Sequence, residues 1–233
     1  QMRQIMGRVV PGLENASVRT LADVGITTNY ETGGLDFDRK KFTEKLQANP
    51  DDVTALFAEQ GRASDDQIEF VRSGVNTEPG SYSVNVSRLA TQGALSGTNV
   101  GTADVTIDAD NDEMTFLVDG ETSVSIKLTA GTYTRDALAA EIQAQLDDSS
   151  ALAATGRSVT AEFDAVAGVF KFTSEAYGSE SNVSLTSVDT NSAAMLGLDV
   201  STGTAGQDVA GTVNGQRATG EGQILFVEDR KSV

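Results

Sequence analysis

The chain has 233 residues, of which 17 are Lys or Arg and 34 are Asp or Glu, so its formal net charge is −17. This charge excludes a typical nucleic-acid-binding protein, because binding to phosphates requires Lys and Arg to displace counterions. It also disfavours an anionic membrane surface, and no apolar run approaches the ~20 residues of a membrane-spanning helix. The chain contains no His and no Cys. That absence excludes a Ser-His-Asp or Cys-His triad, thiolate or imidazole metal sites, and disulfides.

Charge and proline are unevenly distributed along the chain. Residues 1–60 hold seven Lys or Arg and nine Asp or Glu, a net charge of −2, whereas the remainder holds 10 and 25, a net charge of −15. The three prolines all lie in roughly the first third of the sequence: Pro11, Pro50 and Pro79. The length predicts one or two domains, and these shifts favour two, with a boundary between Gly61 and Gly80. We therefore expect one unit over residues 1–61 and a second over residues 62–233.

The first unit begins with a helical pattern and then a hairpin pattern. Apolar residues at helical spacing predict an amphipathic helix over residues 5–10, stopped by Pro11-Gly12. Residues 26–30 (ITTNY) then have strand propensity, and Gly33-Gly34 indicates a turn. Residues 35–37 (LDF) alternate like a short return strand.

Two helices are expected after the hairpin. Asp38 is a suitable N-cap for a helix whose apolar face includes Phe42. Asn49 is the predicted N-cap of the next helix, and Pro50 sits at its first position, where a missing N–H is harmless. This second helix is predicted to end at Gly61. The first unit is therefore predicted to be a helix–hairpin–helix arrangement.

The second unit is dominated by strand patterns. The strongest hairpin signal is Asp119-Gly120, which joins an alternating segment ending at Val118 to residues 123–128. Thr134 caps a predicted helix that continues to Leu146. Further short elements are expected in this order: strands at 82–87, 105–107, 159–163, 169–172 and 183–185, a helical turn after Asn191, a turn at Asn214-Gly215, and a strand at 224–227. Together they predict an α+β fold of mostly antiparallel β domains with a few short helices, in two units.

Several short segments of the first unit follow one family pattern. They are residues 21–29 (LADVGITTN), 35–38 (LDFD), Leu46, 49–53 (NPDDV) and Leu56-Phe57. In order and spacing, these segments resemble the flagellar hook-associated protein 2 family, whose members cap the distal end of the bacterial flagellar filament. The resemblance implies that residues 1–61 are an incomplete part of that family's conserved head or core region.

The second unit carries looser similarities to the same group of proteins. Residues 82–86 (YSVNV), followed by 89–91 (LAT), resemble the start of head domains in cap proteins and flagellins. Residues 114–146 and 208–215 resemble the flagellin insertion repeat. In the family, the Asn-Pro…Leu-Phe element leads soon into C-terminal helices, whereas an acidic β-rich segment follows here. The resemblance therefore implies that residues 62–233 form an inserted head domain and that the chain is a fragment.

The resemblance also implies a function. A member of this family is expected to be a structural component of the flagellum, a filament cap that serves cell motility by promoting flagellin polymerisation at the filament tip. Its partners would be flagellin and other cap subunits in a homo-oligomer, with a host surface or mucin as a further candidate. It would be extracellular, exported by the flagellar secretion system, and without a cofactor. Two alternatives stay open: an adhesin-like surface-binding head domain, and a filament protein of the flagellin or hook-associated type.

An acidic stretch is the best candidate for a metal site. Asp108, Asp110 and Asp112, with Asp119 eleven residues after the first, have the carboxylate offsets of a calcium-binding loop. However, Glu113 stands where that loop needs Gly for its sharp turn, and strands rather than helices are predicted on both sides. We therefore expect an acidic hairpin loop, with calcium binding as the alternative.

No residue stands out as catalytic. Asp65-Asp66 and Asp147-Asp148 are adjacent carboxylates at predicted helix ends, where such pairs are usually solvated. Four glycines lack the spacing of nucleotide-binding loops and are interpreted as turn residues: Gly203, Gly206, Gly211 and Gly215. Because no nucleophile–base pair is evident, we predict that the chain is not an enzyme. We assign no catalytic, cofactor-binding or metal-binding residue.

Overall fold

The computed structural model divides the chain into two compact units, the first ending at Tyr82 and the second beginning at Ser83. The described residues are 7–10, 13, 16–57, 61, 63–74, 77–78 and 80–227. The helix predicted for residues 5–10 begins outside them, and residues 7–10 are not helical. Among the described residues, no helix combines the length and the apolar character needed to cross a membrane.

The first unit is a small hairpin flanked by short helices. In chain order its elements are a 3₁₀ helix (Leu21–Val24), β1 (Ile26–Thr28), β2 (Leu35–Phe37), α1 (Arg39–Ala48) and α2 (Pro50–Ala55). Thr20 caps the 3₁₀ helix reciprocally with Asp23, since the Thr20 hydroxyl accepts from Asp23 N–H and the Asp23 carboxylate accepts from Thr20 N–H. Gly25 then adopts a φ of 81°, which turns the chain directly into β1.

Local capping also places the two α-helices. Asp38 Oδ1 accepts from Lys41 N–H at 3.0 Å, which confirms the predicted start of α1. Pro50 lies in the first turn of α2 as predicted, but Asn49 makes no capping hydrogen bond through its side chain. Helix α2 ends at Ala55, earlier than predicted, because the next two amides donate to carbonyls three residues back and tighten the chain into turns.

The first unit has a small core. Its central cluster of buried residues consists of Val18, Val24 and Val53, and Leu13 and Ala55 are also buried. Partly buried side chains pack against them: Ile26, Phe42 and Leu56. This unit therefore orders a short hairpin and two short helices around few apolar contacts.

The second unit contains most of the strands. Its elements in chain order are β3 (Val84–Arg88), β4 (Gln92–Ser96), β5 (Val105–Ile107), β6 (Glu113–Val118), β7 (Thr122–Lys127), β8 (Gly131–Tyr133), α3 (Arg135–Asp147), α4 (Ser150–Thr155), β9 (Val159–Asp164), β10 (Val169–Tyr177), β11 (Val183–Val188), α5 (Ser192–Leu196), β12 (Ser201–Thr202), β13 (Ala210–Val213), β14 (Gln216–Glu221) and β15 (Ile224–Phe226). All strand pairs in the described residues are antiparallel, which confirms the predicted α+β class.

Two parts make up the second unit. Strands in the order β15-β14-β13-β3 form a four-stranded sheet, here called the basal sheet. Between β3 and β13 in sequence lies the α/β body, which contains β4 to β12 and helices α3 to α5. The body contains a sheet of order β4-β10-β9, a sheet of order β12-β11-β6-β7, and the pair β5-β8. The chain that forms the basal sheet is thus interrupted, after β3, by the residues of the body.

The α/β body has an extensive apolar core. Phe116 of β6 and Phe172 of β10 are fully buried, and their ring centroids are 4.9 Å apart in an edge-to-face contact. The predicted stripe of α3 is buried against the same core: Leu138, Ile142 and Leu146. As predicted, Thr134 starts this helix, because its hydroxyl accepts from the third amide of the helix at 3.2 Å.

A side chain of α3 covers the edge of one sheet. Gln143 Oε1 accepts from Ala161 N–H at 2.6 Å, and Gln143 Nε2 donates to Val159 O at 3.1 Å. The amide group therefore bonds to β9 as a neighbouring strand would. It satisfies backbone groups that would otherwise be left at an open edge.

Candidate functional site

The predicted acidic hairpin loop is organised by an asparagine. Asn111 Oδ1 accepts from Asp108 N–H at 2.8 Å, and Asn111 Nδ2 donates to Thr106 O at 3.0 Å. Asp108 Oδ1 accepts from Asp110 N–H at 3.0 Å. Asn111 is buried, whereas Asp108 and Asp110 are exposed. Internal hydrogen bonds therefore shape this loop, and Asn111, which sequence reasoning did not single out, is its central residue.

Asp112 points to a lysine. Its carboxylate lies 3.2 Å from Lys127 Nζ, which also contacts the carboxylate of Glu113. Hydrogen bonds to Glu113, and then to Asp112, raise the pKa of Lys127. The ammonium group of Lys127 thus supplies the positive charge beside the Asp112 carboxylate.

Asp119 lies at the other end of the β6–β7 hairpin, in the predicted turn. It is buried and adopts a φ of 50°, next to Gly120 at 70°. Its Oδ1 accepts from Ser174 Oγ–H at 2.8 Å and from Asn182 N–H at 3.0 Å, and Arg157 Nη1 lies 2.8 Å from its Oδ2. Asp112 and Asp119 therefore face different cations, and within the described residues no group of three or more acidic side chains is arranged to hold a metal ion.

An open groove of about 800 Å³ runs beside Asp119. Its lining includes hydroxyls, charged groups and a few apolar side chains, among them Leu117, Glu121, Arg157, Ser184, Thr186 and Thr202. Arg157 also pairs with Glu121 at 2.8 Å, so this wall is fixed by two ion pairs. The lining can form hydrogen bonds with a polar ligand.

The other carboxylate pairs make local contacts. Asp65 Oδ1 accepts from Gln67 N–H at 3.0 Å, and Asp147 Oδ1 accepts from Gln143 Nε2 at 2.8 Å. Asp65, Asp66, Asp147 and Asp148 are all exposed. No contact among the described residues joins either pair to a base or a nucleophile.

The interpretation of four glycines as turn residues was wrong for three of them. At Gly203, Gly206 and Gly211 an added Cβ would lie 2.2 Å from a backbone oxygen of a neighbouring segment. These three glycines permit close approach of two chains. Only Gly215 is a turn residue, with a φ of 75° and open space around it.

The first unit contains a row of aromatic side chains, here called the aromatic row, formed by Phe37, Phe42 and Phe57, of which Phe42 is partly buried against the core. The ring centroids of Phe37 and Phe42 are 5.3 Å apart, and those of Phe42 and Phe57 are 6.4 Å apart. Phe37 and Phe57 are nevertheless 54% and 58% exposed. Leu35 and Leu46 are also exposed. Contiguous exposed apolar side chains of this kind are typical of contact surfaces.

Solved structures that are similar to the chain include two of one flagellar cap protein. The crystal structure of the D1-D2-D3 domains of the flagellar cap protein FliD from Escherichia coli matches with a TM-score of 0.41 and 19% identity, over 64% of this chain and 42% of that chain. The structure of the D2-D3 domains of the same protein matches with a TM-score of 0.40 and 20% identity, over 70% of this chain and 89% of that chain. The chain therefore spans less than half of the three-domain protein.

A family match is the stronger finding. No curated protein matches the chain. The family described as flagellar hook-associated protein 2 C-terminus matches residues 1–122, which is more than half of the sequence and extends past Tyr82 into the second unit. Its members are structural proteins of the flagellum, as the motifs in residues 21–57 implied. The chain belongs to the flagellar hook-associated protein 2 family, the filament-capping proteins of the bacterial flagellum.

Proposed function

We propose that the protein containing this chain is a filament cap that promotes flagellin polymerisation at the tip of the flagellum. The family match over residues 1–122 is the observation that carries this proposal. In this role the protein is exported by the flagellar secretion system, remains extracellular at the filament tip, and contacts flagellin and other cap subunits. The role requires binding and release rather than covalent chemistry, so we propose that the protein is not an enzyme.

The aromatic row supports a role in assembly. It presents exposed rings beside α1, which carries Arg39, Lys40, Lys41 and Lys45 against a single Glu44. An apolar surface with charged residues at its border is the usual composition of a protein contact. This arrangement suits a subunit that must associate with neighbours and with the filament end.

We also propose that the chain beyond residue 61 is an acidic head domain inserted into the family's core region. In this proposal the domain faces solvent. The net charge of −15 on residues 61–233 favours that position, because like charges on neighbouring subunits would repel each other in a closely packed ring at low ionic strength. The compact β-rich unit begins at Ser83, whereas the chain up to Tyr82 groups with the first unit.

Deletion in the intact protein tests the capping function. Removing the whole protein should abolish filament growth and release unpolymerised flagellin into the medium. Normal filaments without released flagellin would contradict the proposal. Removing only residues 83–227 should leave filament growth largely in place, and loss of growth would show that the second unit belongs to the capping machinery.

Binding of a host surface such as mucin is a second candidate function. The groove beside Asp119 favours it, because hydroxyl, amide and charged groups line a space of about 800 Å³ and can form hydrogen bonds with a polar ligand. Surface adhesion by bacteria carrying the deletion of residues 83–227 should then fall while filament number stays constant. Unchanged adhesion would contradict this candidate.

A further inference from the structure

The α/β body is joined to the basal sheet by two chain segments that run side by side. Arg88, the last residue of β3, lies opposite Ala210, the first residue of β13. Next along the chain, Thr91 and Gln207 form an antiparallel bridge in which Thr91 N–H donates to Gln207 O at 2.8 Å. Two adjacent connections of this kind can act as a hinge, because a few residues at the ends of elements can absorb a change of angle.

The side chain of Asp208, which lies in one of these two connections between Gln207 and Ala210, links the body and the basal sheet. Asp208 Oδ1 accepts from Ser179 N–H at 2.9 Å and from Gly222 N–H at 2.8 Å. Ser179 follows β10 in the body, whereas Gly222 lies in the turn between β14 and β15 of the basal sheet. The Asp208 side chain thus holds two backbone amides, one from each part.

The surrounding groups favour the ionised form of this carboxylate. Hydrogen bonds from Ser179, and then from Gly222, lower the pKa of Asp208. Arg88 contributes a further lowering by charge, and its guanidinium donates to the Asp208 carbonyl oxygen at 3.1 and 3.2 Å. These are the charged and hydrogen-bonding groups that act on the carboxyl.

Glycines allow the two parts to approach at this point. Gly178 has a φ of 101°, and an added Cβ would lie 2.4 Å from Asp208 Oδ1 and 2.6 Å from Gly222 Cα. Gly222 has a φ of 56°, and a Cβ there would lie 3.1 Å from Tyr177 O. A side chain at Gly178 would separate the body from the basal sheet, and the positive φ of both residues favours glycine at both positions.

We propose that Asp208 is a positioning residue that fixes the orientation of the α/β body on the basal sheet by binding the amides of Ser179 and Gly222. The strands of the basal sheet otherwise make their main element contacts with one another. No broad apolar interface among the described residues takes over this task. This inference stands independently of the capping function, but in a cap it sets the direction in which the head domain projects.

Spin-label distance measurements on the 233-residue chain test this proposal. The chain has no Cys, so labels can be attached at Val166→Cys and Arg217→Cys alone. Val166 is 99% exposed between β9 and β10 of the body, and Arg217 is exposed on β14 of the basal sheet. The parent should give one narrow distance peak, and Asp208→Ala should give a broad distribution.

Asp199→Ala is the matched control, because the Asp199 carboxylate accepts from the adjacent Val200 N–H and lies on the body alone. It should keep the narrow peak. Asp208→Asn retains an acceptor oxygen and should give a narrower distribution than Asp208→Ala. The proposal is overturned if Asp208→Ala stays as narrow as the parent, or if Asp208→Asn is as broad as Asp208→Ala.

A second variant covers the case in which Asp208→Ala does not fold. Gly178→Ala would place a methyl group against Asp208 Oδ1 and should separate the two amides from the carboxylate. A broad distribution in a folded Gly178→Ala protein supports the proposal. A narrow distribution in that protein overturns it.

Discussion

The α/β body and the first unit differ in how far their aromatic side chains are exposed. In the body, Phe116 and Phe172 are fully buried and pack edge to face within a continuous apolar core. In the first unit, Phe37 and Phe57 also lie near a third ring, yet more than half of each side chain is exposed. The body therefore encloses its aromatic rings in an apolar core, whereas the first unit leaves two of its three rings mostly exposed, as the proposed contact with a partner would require.

The largest difference is expected from truncating one ring in each region. Phe116→Ala should lower the free energy of unfolding of the body by about 3–5 kcal/mol, because it removes a fully buried ring and leaves a cavity. Phe37→Ala should lower the stability of the first unit by less than about 1 kcal/mol, because most of that ring already contacts water. Urea unfolding followed by circular dichroism and hydrogen exchange measures both changes. Similar losses of unfolding free energy from the two substitutions would contradict the proposed difference between the body and the first unit.

Arg135 tests how polar contacts support the body. Its buried guanidinium donates to three carbonyl oxygens, those of Ala103 at 2.9 Å, Met195 at 2.7 Å and Val100 at 3.4 Å. Burial lowers its pKa. Arg135→Ala should reduce the free energy of unfolding by about 1–3 kcal/mol, because buried acceptors lose their donors. The exposed Arg217→Ala is the control, and an equal effect of the two changes in thermal unfolding would contradict this assignment.

Gln143 tests the covered edge of β9. Gln143→Ala should destabilise the body by about 1 kcal/mol, because two backbone groups of β9 lose their partners. It should also increase self-association at high protein concentration, since an open edge can pair with another strand. Gln145→Ala on the same helix is the control, because Gln145 bonds only weakly to Glu141 at 3.4 Å. If light scattering shows the same degree of self-association for the two variants, Gln143 does not protect the edge of β9.

A smaller, pH-dependent effect is expected in the first unit. Burial tends to raise the pKa of Asp23, but hydrogen bonds from Arg19 and Thr20 outweigh it and lower the pKa overall. A carboxyl with a lowered folded-state pKa stabilises the folded state above its unfolded value, and that stability is lost as pH falls through the folded value. The protection of amides near the 3₁₀ helix, measured relative to their intrinsic exchange rates, should therefore fall below about pH 4. Asp23→Asn should remove most of this dependence, and an unchanged profile in that variant would assign the effect to another group.

Elements determined by local chemistry could be predicted from the sequence. The hairpin at Asp119-Gly120 and the helix starting after Thr134 depend on residues close in sequence, and both are confirmed. The family motifs in residues 21–57 were likewise local, and the family match confirms the resemblance. Local capping and turn chemistry explain these successes.

Elements determined by distant partners could not be predicted. Strand β4 (Gln92–Ser96) has a polar, glycine-containing sequence and forms by pairing with β10, about eighty residues away along the chain. Helix α4 (Ser150–Thr155) buries only Leu152 and therefore shows no apolar stripe. Asp208 also looks unremarkable in the sequence, because its two amide partners become neighbours only in the folded chain.

Native-state hydrogen exchange on the intact chain tests the contrast between the two regions most directly. We expect amides of β6, β10 and α3 to exchange only through global unfolding of the body. Amides of β1, β2 and α1 should exchange orders of magnitude faster, through opening of a unit whose core is a small cluster around Val18, Val24 and Val53. Equal protection of the two regions, lost together in one cooperative transition, would contradict this difference in stability.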